Sequence, residues 1–450
     1  MGNCVGIYEN FRRIKIFTNS IKMSALVNQV NYTPKMPSVK SRHMTVNVTP
    51  TNGSSWSSGQ DQVILDIGTG GYGQYLCQNE TYLKFRVTNT NTNAHDLILD
   101  RDCSCLWSRS TISHSSQILE DLTDLNTMNR VFQDCQIGPG KQLTTGSCTR
   151  GHAENADVAD NNTVYSGASI AQNTSQTFCM SLFSGILGPQ CPKFIPLSAC
   201  GAGGPIRLTL TLDNFNNSCR SGGASACSFT IDEVNLVCGI VEVDQAGQQM
   251  IDASSAGLYA ISSTGYRNYT ANAGGAGENN VELLVPAKAS SMKALYTVQR
   301  PQAQINDSTK NSIGCRDRAD LTEFHWTCGG VRYPAGKPIS STGGDSYSQL
   351  MKTFNGINNL HQECDFGRTR YELTTSTATD AVVATKGAFV AGIELESYGN
   401  DGIESGLNTL GQNLFFNGTY DSIPGAYKFN FISVFDTLIT VEGGIMQVKF

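Results

Sequence analysis

Charge is what this 450-residue sequence has least of: Asp, Glu, Lys and Arg make up only 16% of it, against roughly 25% in an ordinary soluble domain. So little charge implies that much of the surface is covered, most simply by copies of the same chain. Long apolar runs are missing too. No stretch approaches the ~18 residues a membrane-spanning helix needs, which argues against an integral membrane protein, and no secretory apolar region follows Met1.

Catalytic signatures are absent or incomplete. There is no Gly-x4-Gly-Lys-[Ser/Thr] phosphate loop, since Gly140-Lys141 lacks both flanks, and no Gly-x-Ser-x-Gly nucleophile elbow. Gly68-Thr-Gly70-Gly-Tyr-Gly73 matches the dinucleotide fingerprint in letters. That fingerprint works only where a helix N-terminus follows to meet the pyrophosphate. Here Tyr75 to Phe85 reads as turn then strand, so a glycine-rich loop is expected. His361-Gln-Glu363-Cys364 matches half of a zinc-deaminase motif but lacks the Pro-Cys-x-x-Cys that completes the tetrahedral site. Cys103 and Cys105 near His95 and His114 read as strand cysteines beside solvated histidines. Glu394 and Glu396 share one strand face, toward solvent or a neighbouring subunit. Catalytic, cofactor-binding and metal-ligating residues are therefore assigned as none, no cofactor is expected, and the chain is not expected to be an enzyme.

What is present is glycine (45 residues), with abundant Asn, Ser and Thr, a composition suited to many short strands joined by turns. Fifteen cysteines suggest a disulfide scaffold at first sight. The number is odd, however, 12 precede residue 240, and Cys179 and Cys238 sit inside apolar strand runs. Mostly reduced thiols are expected, although the spacings of Cys219–Cys227 and Cys191–Cys200 would allow loop closure. The sequons at Asn31, Asn47, Asn79, Asn173, Asn268, Asn306 and Asn417 read as unmodified. The net charge of −6 conceals a gradient: residues 1–42 hold seven basic side chains against Glu9, a net +6, which leaves −12 on the rest. An acidic body disfavours broad or sequence-specific nucleic-acid binding. The basic residues 1–42 suit contact with a genome, an inner membrane or, as the preferred reading, a neighbouring subunit. Met-Gly-Asn-Cys-Val-Gly is a weak myristoylation signal, with Gly6 where Ser or Thr is wanted, and Met23 is a plausible alternative start.

The two halves run through the same elements in the same order. Each begins with short strands, passes one amphipathic helix and a long polar loop, then returns to strands. Ile118, Leu122, Leu125, Met128 and Phe132 predict a first helix over Ser116–Phe132, and Tyr347, Leu350, Met351 and Phe354 a second over Ser346–Asn355. Phe178–Leu187, Ile206–Leu212 and Phe229–Val243 correspond to Phe389–Tyr398, Leu414–Tyr420 and Tyr427–Phe450. Residues 136–176 and 356–386 lack core-forming side chains and read as exposed excursions. An all-β chain is expected, with an arm at 1–43, β-domains at 44–243 and 257–450, and a linker helix at 244–256.

Several stretches in this order carry a resemblance: Val46–Trp56, Tyr82–Asn89, Gln117–Asp121, Leu182–Gly188, Lys193–Leu197, Val234–Val243, Pro286–Lys293 and Tyr333–Ile339. In these the chain resembles the double-jelly-roll major capsid proteins of Polinton-like viruses, adintoviruses and virophages. None is a catalytic signature; their order across residues 44–450 carries the likeness. It implies two tandem eight-stranded jelly rolls, each with one short helix in a loop, and a homotrimer presenting six rolls as a pseudo-hexagonal block. Such capsomers, with neighbouring capsomers, penton and minor capsid proteins, would tile an icosahedral virion shell around double-stranded DNA. A two-domain carbohydrate-binding or adhesion protein would share the composition but would need a signal peptide and paired cysteines.

Overall fold

The computed structural model describes residues 39–57, 59–92, 95–138, 140–141, 146–150, 169–221, 226–354, 363–374, 387–397 and 405–450. The loop readings at 136–176 and 356–386 lie largely outside the described residues, as do most of the arm and His361.

Eight principal strands precede residue 244: β1 (Ser41–Val48), β2 (Gln62–Ile67), β3 (Gln74–Asn89), β4 (Trp107–His114), β5 (Gln117–Thr123), β6 (Ser175–Ser181), β7 (Ile206–Leu212) and β8 (Phe229–Val243). They pair antiparallel in two sheets, in the orders β1-β8-β3-β6 and β2-β7-β4-β5. Nine more follow: β9 (Tyr259–Ala273), β10 (Asn280–Val285), β11 (Met292–Pro301), β12 (Leu321–Cys328), β13 (Val331–Tyr333), β14 (Ala391–Glu394), β15 (Leu414–Tyr420), β16 (Tyr427–Glu442) and β17 (Ile445–Lys449). Their orders are β9-β16-β11-β14 and β10-β15-β12-β13, with β17 added beside β16. Adding eight to every strand number turns the first pattern into the second. This pairing is the jelly roll, and the chain is a double jelly roll. Helix α1 (Leu125–Gln136) lies between the fifth and sixth strands of the first roll, and α3 (Asp345–Thr353) between those of the second. Helix α2 (Gln245–Ser255) stands between the rolls, capped by the Asp244 carboxylate, which accepts the Gly247 N–H at 2.9 Å. Among the described residues no sheet draws strands from both sides of α2.

Alternation decides which side chains enter each core. In β3, Leu83, Phe85 and Val87 are fully buried while Tyr82 and Lys84 are exposed. Phe85 meets Trp107 of the facing sheet edge-on, with centroids 5.4 Å apart. In the second roll Trp326 and Phe416, neighbours across adjacent strands of one sheet, meet edge-on at 5.7 Å, and Phe431 of the opposite sheet lies 5.9 Å from Phe416.

The predicted helix over Ser116–Phe132 is corrected. Its first half is strand β5, and the helix begins only at Leu125 and runs on to Gln136. Ser115 and Ser116 both have positive φ, 50° and 64°, as a two-residue hairpin turn requires. Asp124, at φ 46°, then breaks strand from helix. Ser116 is thus a turn residue rather than a helix cap, and Ile118, counted on the apolar helix face, is 65% exposed. Leu119 and Leu122 face inward along the strand. Spacings of three and four residues fit a helix, but here they span a strand, a break and a helix. Strand bounds shift elsewhere too: β6 ends at Ser181, and Leu182–Leu187 packs as buried irregular chain, while β14 covers only Ala391–Glu394.

Candidate functional site: the seam and the assembly surfaces

The chemistry of this fold lies where the two rolls meet. Asp100, Arg101, Arg130 and Asp134 come from the first roll, Arg316 and Asp365 from the second, and all six are at most 5% exposed. Asp134 sits at the centre. One of its oxygens pairs with Arg101; the other accepts Arg130 Nε at 3.1 Å and is also paired with Arg316. Arg101 reaches Asp365 at 3.3 Å, and Arg130 reaches Asp100 at 3.3 Å. Asp100 also accepts the Ile313 and Gly314 N–H groups at 2.9 and 2.8 Å. Gly314 has to be glycine here, because a Cβ would come within 2.8 Å of Asp100 Oδ1. Three cations and three anions balance, which is the condition for burying so much charge. Burial lowers the Arg130 and Arg316 pKa values, and the neighbouring carboxylates oppose that shift.

Around this network the seam continues in apolar and neutral contacts. Phe132 of α1 meets Tyr266, Tyr296 and Phe354 of the second roll, with centroids 5.5, 5.6 and 5.7 Å away. Asn268 Nδ2 donates to Thr123 O at 3.1 Å, and Ser263 Oγ to Gly185 O at 2.6 Å. His114 Nδ1 accepts the Met446 N–H at 3.1 Å, while Nε2 faces the Cys200 and Gly204 carbonyls; the Nε2–H tautomer satisfies all three. Burial alone would raise Asp124, but Lys428 and Arg300 hold its carboxyl below the usual range, and Lys428 Nζ lies 2.7 Å from it. The seam joins the rolls through ion pairs, aromatic contacts and hydrogen bonds, and Ser41–Phe450 forms one compact unit.

Glu120 is the exception to this charge balance. It lines a cleft of about 320 Å³ along the seam, buried, with its carboxylate accepting the Ser184 hydroxyl and the Gly185 N–H. Burial pushes it up to about 7, despite both hydrogen bonds.

The outer faces of the sheets carry paired charges. Arg86–Asp232, Arg42–Glu242 and Arg207–Asp66 face each other in register across neighbouring strands, each in two-pronged contact at 2.7–3.1 Å. Edge strand β1 is exposed on both faces over most of its length and pairs only with β8 among the described residues. It starts opposite Val243, beside α2. Near that end, Tyr72, Phe194, Met250 and Leu258 are 44–69% exposed. Tyr72 is tied to α2 through Asp252, and Lys193, next to Phe194, contacts Ala260 O. Exposed large apolar side chains, and a strand edge with no further partner among the described residues, are features of surfaces that pack against another chain.

The chemical motifs fall apart in three dimensions. Gly68–Gly73 leads into strand β3, so no helix terminus meets a phosphate there. Gly73, at φ 78°, lets the turn approach Val243 O, which a Cβ would meet at 2.7 Å. Cys103 and Cys105, expected in a strand, lie instead in the buried helical turn Cys103–Leu106 that Asp102 caps, and burial raises both thiols well above their ordinary pKa, which keeps them protonated and unreactive. His114 serves the seam instead. Cys191, Cys200, Cys219 and Cys227 are unbridged; Cys227 Sγ donates to Cys219 O at 3.4 Å. Among the described residues no three His, Cys, Asp or Glu side chains gather as metal ligands. Glu394 meets Lys352, and Glu396 meets Lys293, each at 3.3 Å. Asn268 is 7% exposed, too buried to carry a glycan.

No protein-family model and no curated protein sequence matches the chain. Its fold does match solved structures over nearly the whole length. A quasi-atomic model of the PBCV-1 virus capsid aligns with TM-score 0.61 at 11% identity, covering 93% of this chain and 99% of that one. The Sputnik virophage structure aligns with TM-score 0.57 at 10% identity, covering 95% and 92%. The Faustovirus major capsid protein aligns with TM-score 0.57 at 10% identity, covering 92% and 93%. At such identities the likeness is one of fold.

Proposed function

We propose that this chain is a major capsid protein, a structural protein of the virion shell and not an enzyme. In this reading three copies make a pseudo-hexagonal capsomer, and capsomers tile an icosahedral shell around double-stranded DNA. The observation that carries it is the repeated strand order in two rolls locked by one buried seam. Rigid, near-equivalent rolls let three subunits present six similar sides, which a single roll or a hinged pair does not. The full-length fold match to the Faustovirus major capsid protein supports the same reading.

In this reading the chain divides into an arm, a roll, a linker and a second roll at 1–43, 44–243, 244–256 and 257–450, with the first roll's edge strand reaching back to Ser41. Outer loops come from within 136–176 and 356–386, excluding Asp365, Phe366 and Tyr371, which are buried, and Ser175–Gln176, which belong to β6. Strand edge β1 and the apolar surface beside α2 then meet neighbouring subunits, and the basic residues of 1–42 contact a neighbour, the genome or an inner membrane, except Arg42, which is held in β1 by Glu242. Minor capsid and penton proteins complete the set of partners. The test is light scattering and negative-stain imaging of the purified chain. A mass three times the 48.5 kDa of one chain and six-lobed blocks are expected; a stable monomer at assembly concentrations overturns the proposal.

A further inference from the structure

Helix α1 is buried on nearly every side, with one stripe left open. Along it Asn129, Gln133 and Gln136 recur at i, i+4 and i+7, one face of the helix, and all three line a second cleft of about 380 Å³. Asn129 is only 8% exposed, yet neither its amide nor those of Gln133 and Gln136 has a hydrogen-bond partner among the described residues. The Asn129 amide is not among the polar atoms sealed from solvent, so its donor and acceptor open onto the cleft, where a ligand would exchange water for direct hydrogen bonds. Phe132 and Phe183, 5.2 Å apart, form an aromatic wall, and Gln190 adds a fourth amide, already accepting the Tyr266 hydroxyl at 2.5 Å. The charged lining residues are Asp102 and Lys141, of opposite sign, and Asp102 is engaged by Ser104.

We propose that this cleft binds a neutral carbohydrate. Each carboxamide offers a donor and an acceptor at the spacing of adjacent sugar hydroxyls, and an aromatic ring packs against the C–H face of a pyranose. The volume falls within the range of small-ligand sites, roughly 300–1,000 Å³. A balanced lining suits a neutral ring rather than a sialic acid or a phosphate. The inference stands apart from the capsid reading, since it concerns one chain's own cleft.

Saturation-transfer NMR on the full chain, in its purified oligomeric state, tests it with the methyl glycosides of glucose, galactose, mannose and N-acetylglucosamine. A neutral blocked dipeptide serves as the competing probe. Transfer to at least one glycoside is expected, and Gln133→Ala and Gln136→Ala, at partly open positions where folding is retained, should each weaken it about tenfold. The inference is overturned if no glycoside receives saturation, if the variants bind as the parent does, or if only the dipeptide binds.

Discussion

Asp134→Ala is expected to cost about 3–5 kcal/mol, the usual penalty for breaking a buried ion pair by removing one partner. A folded domain holds only about 5–15 kcal/mol in all, so little native protein should be recovered. The effect is large because Asp134 is the shared anion of three guanidiniums, from Arg101, Arg130 and Arg316. Without it three cations face two carboxylates with no water to screen them. Asp134→Asn keeps the shape and an acceptor oxygen and should fall between. Arg207→Ala removes an exposed pair with Asp66 and should cost no more than about 1 kcal/mol. Urea denaturation of the variants under identical conditions compares them; equal midpoints for Asp134→Ala and Arg207→Ala would show that the network does not hold the seam.

Between about pH 4.5 and pH 7 the protein is expected to lose stability as pH rises, because of Glu120. Its ordinary value is 4.5, and burial raises it to about 7 in the fold. Below 4.5 both states carry the proton and the folded state bears no penalty. As pH climbs toward 7 the unfolded chain ionises while the folded one must keep its proton, so unfolding is increasingly favoured. The shift corresponds to about 3 kcal/mol once pH passes 7. Glu120→Gln removes the ionisation and should flatten this slope. The amide oxygen can still accept the Gly185 N–H, although the Ser184 hydroxyl is served less well. Urea midpoints at pH 5, 6, 7 and 8 decide the matter; parallel profiles for parent and variant would remove Glu120 as the cause. Since Glu120 lines the cleft along the seam, its ionisation acts on the contact that makes two rolls one tile.

The strands Ile206–Leu212, Phe229–Val243 and Leu414–Tyr420 appear where alternation places them, because a two-residue period survives in any strand with one buried face. Helix α3 was legible for a similar reason: Tyr347, Leu350 and Met351 form one stripe along it, and Phe354, just past its end, reaches Phe132 of the first roll. The region of β5 and α1 was not. Its apolar spacing satisfied a helix, and only the positive φ at Ser115, Ser116 and Asp124 shows a hairpin turn and a break. The seam left still less trace. Asp100, Arg101, Arg130, Asp134, Arg316 and Asp365 lie up to 265 residues apart along the chain, and buried charges look like surface charges until the fold brings them together. The amide stripe of α1 was hidden because polar residues on a helix ordinarily signal solvent.

By itself the sequence determined the class of the molecule: many short strands, two halves of like order, too few charges for a lone surface and no complete catalytic motif. Those properties reside in local periodicity and composition, which short segments carry on their own. Tertiary structure alone decided that the halves share one buried seam, that His114 and Asp134 work at it, and that burial raises the Glu120 carboxyl. Each depends on desolvation by residues distant in the chain, and burial is a property that no segment possesses until the rolls close on one another.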